Sequence, residues 1–242
     1  MIKCELTDPP LENQRETTIL LIASRKDVAA MNIANQLISN HGFAETSERT
    51  FGNPVYIKEI GNGRIAKLAF IDVESVDAQS LCISVAPRLL VFLSRHRSES
   101  GTPTLSVHTP GNLGEAVLGG LPSTVSVSPA SSMKEALKSM KKRQEEMSLE
   151  YEVSYECTHH GPSLAFATMF LELGSSPMQW GDSEAAEAVA RGALAAVSRT
   201  KSYPAVLGIG GPHYNSKFTK VALNTETAFG HIVPKYAVRT LD

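Results

Sequence analysis

The chain has 242 residues, 42% of them hydrophobic and 20% charged, with 23 basic against 25 acidic side chains. That apolar fraction buries a full core and excludes disorder. A formal net charge of -2 excludes a global field for holding a polyanion, so any nucleic acid must bind a local patch. At roughly 100 to 200 residues per domain, the length reads as a single α/β domain over 1–242, with a weakly marked subdivision near 119–129. Cys4, Cys82 and Cys157 are odd in number and lack CxxC spacing, which predicts reduced thiols. The N-terminal MIKCELTDPP is acidic and proline-containing, and no uncharged apolar run reaches about 18 residues. Both features predict a soluble, cytoplasmic protein.

In chain order, residues 17–23 (TTILLIA) form a β-branched run like a strand buried on both faces. Ser24 is in place to cap a helix whose apolar positions include Val28, Met31, Ala34, Leu37 and Ile38. Residues 55–60 and 65–73 flank Gly61-Asn62-Gly63, a hairpin signal. Residues 89–93 and 104–107 are short strands on either side of a polar loop. Ser128-Pro129 starts a Lys/Glu/Met-rich helix to about Met147, with Ala136, Leu137, Met140 and Met147 toward the core. Residues 151–157 and 165–173 read as strands, 182–199 as an Ala-rich helix capped by Asp182, and 204–209 as a last buried strand running into Gly210-Gly211. This alternation predicts a three-layer α/β/α fold with a mixed sheet.

Histidines concentrate in polar segments that follow apparent strands: His96, His108, His159, His160, His213 and His231; only His41 reads as ordinary helix-end surface. Loops at one edge of a sheet converge on a common cleft. Glu156, His159 and His160 place a carboxylate and two imidazoles within five residues, enough for a general base with an orienting partner or for zinc ligands. The spacing matches no zinc signature such as HExxH. A turn whose histidines satisfy backbone carbonyls is the plainer alternative, and strand alternation predicts that only one of the pair reaches a given site.

Gly208-Ile209-Gly210-Gly211 after an apolar strand fails as a dinucleotide fingerprint, because Pro212-His213-Tyr214 replaces the helix opening. It reads instead as a turn whose Gly210 and Gly211 amides face an anion or oxyanion, with His213, Tyr214 and Lys217 as donors. A ligand-free turn is the alternative, and Pro110-Gly111-Asn112 is a less specific turn of the same kind. Lys138, Lys141 and Lys142 share a helix face that can contact nucleic-acid phosphates or be simply solvated, and Lys134 and Arg143 add to its charge. Arg95, Arg97 and Lys217 are the basic groups closest to the histidine loops in this reading.

Taken together, SRHRSESGTPTLSVHTPGN (94–112), ECTHHGPS (156–163), GIGGPHYNSKFT (208–219) and GHIVPKYA (230–237) resemble the archaeal and plant type of D-aminoacyl-tRNA deacylase, in that family's order. The resemblance implies a phosphorylase/hydrolase-like α/β fold similar to peptidyl-tRNA hydrolase. It also implies hydrolysis of the ester between a D-amino acid and the 3′-terminal ribose of tRNA, a quality-control step of translation, and dependence on zinc. Familiar members continue for some tens of residues past the PKYA block, so a short lineage or a trimmed C-terminus is expected here.

For an already activated ester, a positioned water, a base and an oxyanion stabiliser suffice. The expected roles are His160 as base or metal ligand, oriented by Glu156 or His159, and the Gly210 and Gly211 amides with His213 at the oxyanion. Arg95, His96, His108, Tyr214 and Lys217 are expected to hold substrate, and His96, His159, His160 and His213 are the metal candidates. Ser94 and Ser163 lie in no GxSxG elbow, so serine catalysis is not expected. The rival readings are a zinc amidohydrolase or peptidase, a nucleoside phosphorylase, and a non-catalytic tRNA-binding module. No heptad pattern or extended apolar edge appears, and a monomer without an obligate protein partner is expected.

Overall fold

The computed structural model describes residues 18–85 and 87–240. Cys4, the MIKCELTDPP segment and Thr17 of the first predicted strand lie outside them. The apolar run opens as β1 (Ile19–Ser24), followed by α1 (Val28–Asn40), β2 (Ala44–Thr50), β3 (Asn53–Glu59) and β4 (Ile65–Ile71). A short α2 (Gln79–Ile83) leads to β5 (Leu89–Arg95), β6 (Thr104–His108), β7 (Gly111–Asn112) and β8 (Thr124–Val125). Then come α3 (Ala130–Glu146), β9 (Glu152–Tyr155), β10 (Ala167–Gly174), α4 (Pro177–Trp180) and α5 (Ser183–Ser198). The last elements are β11 (Ala205–Ile209), α6 (Ser216–Asn224) and β12 (Ala228–Val233).

Eight strands form one mixed sheet in the order β2-β3-β4-β1-β5-β10-β6-β9. Strands β4, β1, β5 and β10 run parallel, while β6 enters antiparallel to β10. The period-2 alternation of the central strands divides their side chains between two cores. Ile19, Leu21, Ala23, Val91 and Leu171 pack under α1, α3 and α5. Leu20, Ile22, Leu90, Phe92 and Phe170 meet Cys82 of α2 and Leu164, so the layer on this second face is much thinner. Cys82 and Cys157 are free, buried thiols, and no helix among the described residues is long and apolar enough to cross a membrane.

Several local expectations are corrected. The cap of α1 is Asp27, whose carboxylate accepts from the Ala30 amide; Ser24 instead donates to the Val73 carbonyl. Val28 is exposed, and the buried face of α1 is Ala29, Ala30, Ile33, Ala34 and Leu37. His41 is buried against Glu187 at 2.7 Å rather than lying on the surface. Strand β11 is neither last nor buried: it pairs only with β12, in a separate two-stranded sheet, and leaves Leu207 and Ile209 exposed. The Asp182 cap of α5 forms as its sequence predicts, accepting from the Glu184 and Ala185 amides. At Gly119 the backbone packs closely, since a Cβ there would stand 2.1 Å from the Val76 carbonyl oxygen.

Lys134 is not a solvent-facing phosphate ligand. It is 1% exposed, and its ammonium donates to the carbonyls of Ala222, Thr225 and Thr227, closing the C-terminal end of α6 and the turn beyond it. Hydrogen bonds to a charged group are worth about 1.5–3 kcal/mol. Lys134→Met is therefore expected to lower unfolding free energy by about that amount, read as an earlier denaturant midpoint with an unchanged slope.

Candidate functional site

The crevice forms on the thinly covered second face, where the apolar pattern of the sheet gives way to polar side chains. On β6 the alternation TLSVH puts Leu105 and Val107 in the helix-covered core, while Thr104, Ser106 and His108 face the other way, all buried. Neighbouring β10 places Glu172 on that same face, two residues beyond Phe170. The segments after β1 and β4, together with the end of β5 and the residue after it, bring Asp27, Glu74, Arg95 and His96 to the rim, which is where open α/β sheets bind ligands. The resulting cavity, about 790 Å³, is also lined by Arg97, His159, His160, His213 and Tyr214.

One half of the site is a buried charged group. His96 Nδ1 lies 3.1 Å from Glu156 and 3.0 Å from Glu172, and His213 Nε2 lies 2.7 Å from Glu156. Ser106 Oγ donates to Glu156. Burial alone would strip His96 of its proton, but the hydrogen bonds and charges of the two carboxylates outweigh it and hold the group up at about 11. His213 is likewise held up at about 10, against burial, by its contacts with Cys157 and Glu156. Glu156 is pushed up by burial and pulled further down by His213 and His96, so it stays a carboxylate. For Glu172, burial and the Glu156 charge act upward and the imidazoles of His108 and His96 prevail downward. Two cations and two anions thus sit together, three of the four groups buried and His213 a third exposed, arranged so that each charge has a partner.

The other half is a group of imidazoles that no carboxylate hydrogen-bonds: His159 Nε2 lies 3.6 Å from Glu156 and His108 Nε2 lies 3.8 Å from Glu172. His159 is lowered well below the ordinary histidine value, by burial first and then by its His108 and His160 neighbours. Burial, with His108 next, takes His160 down to about 4. The Nδ1 atoms of both are paired with backbone carbonyls, His159 with Cys157 and His160 with Gly161, which leaves both Nε2 lone pairs available. Ring centroids lie 4.3 Å apart for His108–His159, 4.9 Å for His108–His160 and 4.3 Å for His159–His160. His108, 1% exposed, makes no hydrogen bond through either ring nitrogen. One ligand atom from each of these three residues falls within 4.8 Å of the others, the disposition a zinc tripod requires. Cys157, His159 and His213 lie equally close, with the Cys157 thiol 3.4 Å from His213 Nδ1 and His213 Nε2 held by Glu156.

Adjacent histidines reach one site because 159–160 is a turn, not a strand. His160 has φ +43°, a left-handed conformation that reverses the side-chain alternation. Gly161 permits the turn to pack closely, since a Cβ there would stand 2.2 Å from the Gly120 amide nitrogen.

His96, His159, His160, His213, Tyr214 and Arg95 therefore meet, with His108 behind them and Glu156 beneath. Glu156 orients His96 and His213; the Gly161 carbonyl, rather than Glu156 or His159, orients His160. The oxyanion reading of Gly210 and Gly211 fails, because the Gly210 amide donates to the Val233 carbonyl and neither glycine lines the cavity. Lys217 is exposed on α6, outside the cavity lining. Lys138, Lys141 and Lys142 lie over a separate depression on α3 and are paired with Glu135, Glu145 and Glu146. His231 bonds Thr158 outside the cavity. Ser163 is spent on the Thr124 carbonyl and the Leu121 amide. Sequence reasoning missed Glu172 and Asp27. A lone carboxylate inside the apolar ATMFLELG strand was the available signal for the first; Asp27 both caps α1 and accepts from the Arg95 amide.

Comparison with known proteins adds three findings. A family model described as D-aminoacyl-tRNA deacylase matches residues 83–242. The D-aminoacyl-tRNA deacylase of Pyrococcus abyssi is 38% identical over 226 residues, covering 90% of this chain and 80% of its own length, and that of Methanosarcina mazei is 35% identical over 246 residues, covering 98% and 81%. Among solved structures, the crystal structure of a conserved protein of unknown function, AF0625, has a TM-score of 0.84 at 29% identity, covering 93% of this chain and 79% of the other.

Proposed function

This chain belongs to the D-aminoacyl-tRNA deacylase family, and from that premise we propose that it hydrolyses the ester joining a D-amino acid to tRNA in the histidine crevice. The observation that carries the assignment to this crevice is the convergence of His96, His159, His160, His213 and Glu172 around one cavity large enough for an aminoacylated nucleoside.

The reaction needs a water made nucleophilic, a donor for the oxygen that gains charge, and a proton for the departing ribose hydroxyl. Glu172 is the carboxylate of the buried pair that lines the cavity, and it takes the proton of the attacking water. The His96 ring gives its Nδ1 to the two carboxylates and makes no other hydrogen bond with a described residue, so its Nε2–H serves as donor to the developing oxyanion and then to the leaving oxygen. Glu156 keeps His96 and His213 protonated and positioned. Arg95, its backbone amide fixed by Asp27 and its guanidinium by Glu74, edges the cavity where an acceptor-end phosphate approaches.

His108, His159 and His160 are the residues that would hold a zinc ion: their rings are clustered, burial lowers the pKa of His159 and His160, and the buried His108 ring has no hydrogen-bond partner. When bound, zinc supplies Lewis acidity toward the carbonyl and lowers the pKa of water. The preference for D over L substrates follows from which isomer leaves a buried polar group unpaired, a difference of about 1–3 kcal/mol per group.

The test is direct. Incubated with matched D- and L-tyrosyl-tRNA, a peptide, and a nucleoside with phosphate, the protein is expected to release D-tyrosine and leave the other three intact. Cleavage of the peptide or phosphorolysis of the nucleoside would identify the rival enzymes. Salt-sensitive tRNA binding without release of amino acid would identify a binding module.

A further inference from the structure

A second hollow, about 600 Å³, adjoins the histidine crevice and shares Arg97, Ser98 and Glu99 with it. Its other walls are Ser175, Ser176, Pro177 and Trp180. The amide of Ser98 donates to the Ser175 carbonyl, which ties the 96–99 loop to the end of β10 and makes the hollow a continuation of the crevice. Trp180 is the chain's single tryptophan. Its ring is half-buried, its Nε1 donates to the His96 carbonyl at 2.9 Å, and the Arg95 guanidinium lies 5.7 Å from the ring centroid. The ring is therefore held in one orientation beside the reacting centre. Arg97 stands exposed between the two hollows and forms no hydrogen bond or ion pair with a described residue.

A fixed aromatic face next to a free guanidinium is the combination that binds single-stranded nucleic acid, the ring stacking a base and the cation meeting a phosphate. The geometry points to this hollow as the subsite for the nucleotide that precedes the terminal adenosine of tRNA, with its base on Trp180 and the linking phosphate at Arg97. This inference rests on the proposed function, which puts the terminal ribose in the crevice; the strand must leave that crevice, and the shared residues 97–99 mark the exit. Glu99 lies on the same rim and opposes the phosphate, so it sets a limit on affinity that Glu99→Gln should relax.

The single tryptophan makes the test clean. Titration of the protein with the dinucleotide cytidylyl-adenosine is expected to quench its tryptophan fluorescence, and titration with adenosine alone is not. In kinetics, Arg97→Gln is expected to raise KM for D-tyrosyl-tRNA about tenfold and to reduce the salt slope by about one, with much less effect on 3′-O-D-tyrosyl-adenosine, which has no linking phosphate. Trp180→Ala should show the same divergence between the two substrates, and Trp180→Phe should restore most of it. Unquenched fluorescence at saturating dinucleotide, or an equal loss on both substrates, would overturn the subsite while leaving the proposed function in place. A wild-type protein that cleaves neither substrate would overturn the proposed function and the subsite with it.

Discussion

If the imidazole group holds zinc as proposed, replacing His159 by alanine is expected to reduce bound zinc from stoichiometric to trace and to lower turnover on D-tyrosyl-tRNA by at least about a hundredfold, while the protein stays folded. The ring stands at the centre of the imidazole group, within 4.5 Å of the rings of His108, His160 and His213. Deleting it leaves only two members of the tripod, and three protein ligands are the usual minimum for a catalytic zinc site. The side chain is half-buried and makes a single hydrogen bond, to the Cys157 carbonyl, so the fold does not depend on it. Elemental analysis of purified wild type and variant gives the metal content, and thermal unfolding confirms the fold. Full zinc content with wild-type turnover would remove this tripod from the mechanism.

Glu156→Ala is expected to act mainly on stability. The carboxylate is buried at 1% exposure and holds His96, His213 and the Ser106 hydroxyl. Removing one member of a buried ion pair leaves the other charge uncompensated, at about 3–5 kcal/mol. At about 2–4 °C per kcal/mol for a domain of this size, the melting temperature should fall by roughly 6–20 °C. Glu156→Gln, which keeps an acceptor for both imidazoles and the volume of the side chain, should lose less. A change in Glu156→Ala of no more than about 0.5 kcal/mol, the range of ordinary surface substitutions, would mean that the charged group is not organised as described.

The fold was legible where sequence pattern and tertiary environment agree. TTILLIA, the hairpin around Asn62 and the Asp182-capped helix each carry a local signal that tertiary packing reinforces. Strand β2, AETSERT, was not legible because as an exposed edge strand it has no apolar face. Helix α6 is short and polar, and its Asn215 cap, which accepts from the Phe218 amide, was hidden by the adjacent glycines and proline. Strand β11 misled for the opposite reason: five apolar or small residues say nothing about whether a sheet lies on both sides of them.

The same division holds for the site. That loops around residues 96, 160 and 213 converge could be read from histidines placed after strands. The raised pKa of His96 and His213 and the lowered pKa of His159 and His160 could not, because they depend on which imidazoles hydrogen-bond Glu156 and Glu172. Nor could the pairing of His159 with His160, since the positive φ of a non-glycine residue overrides the alternation that local sequence implies.

The central claim is tested most directly by a crystal structure with a non-hydrolysable 3′-(D-tyrosylamino)-adenosine bound. The account predicts the amide carbonyl inside the crevice, within hydrogen-bond reach of His96 Nε2, with Glu172 beside it and the nucleoside oriented toward Arg97. An analogue bound elsewhere on the molecule, with the crevice empty at saturating concentration, would contradict it.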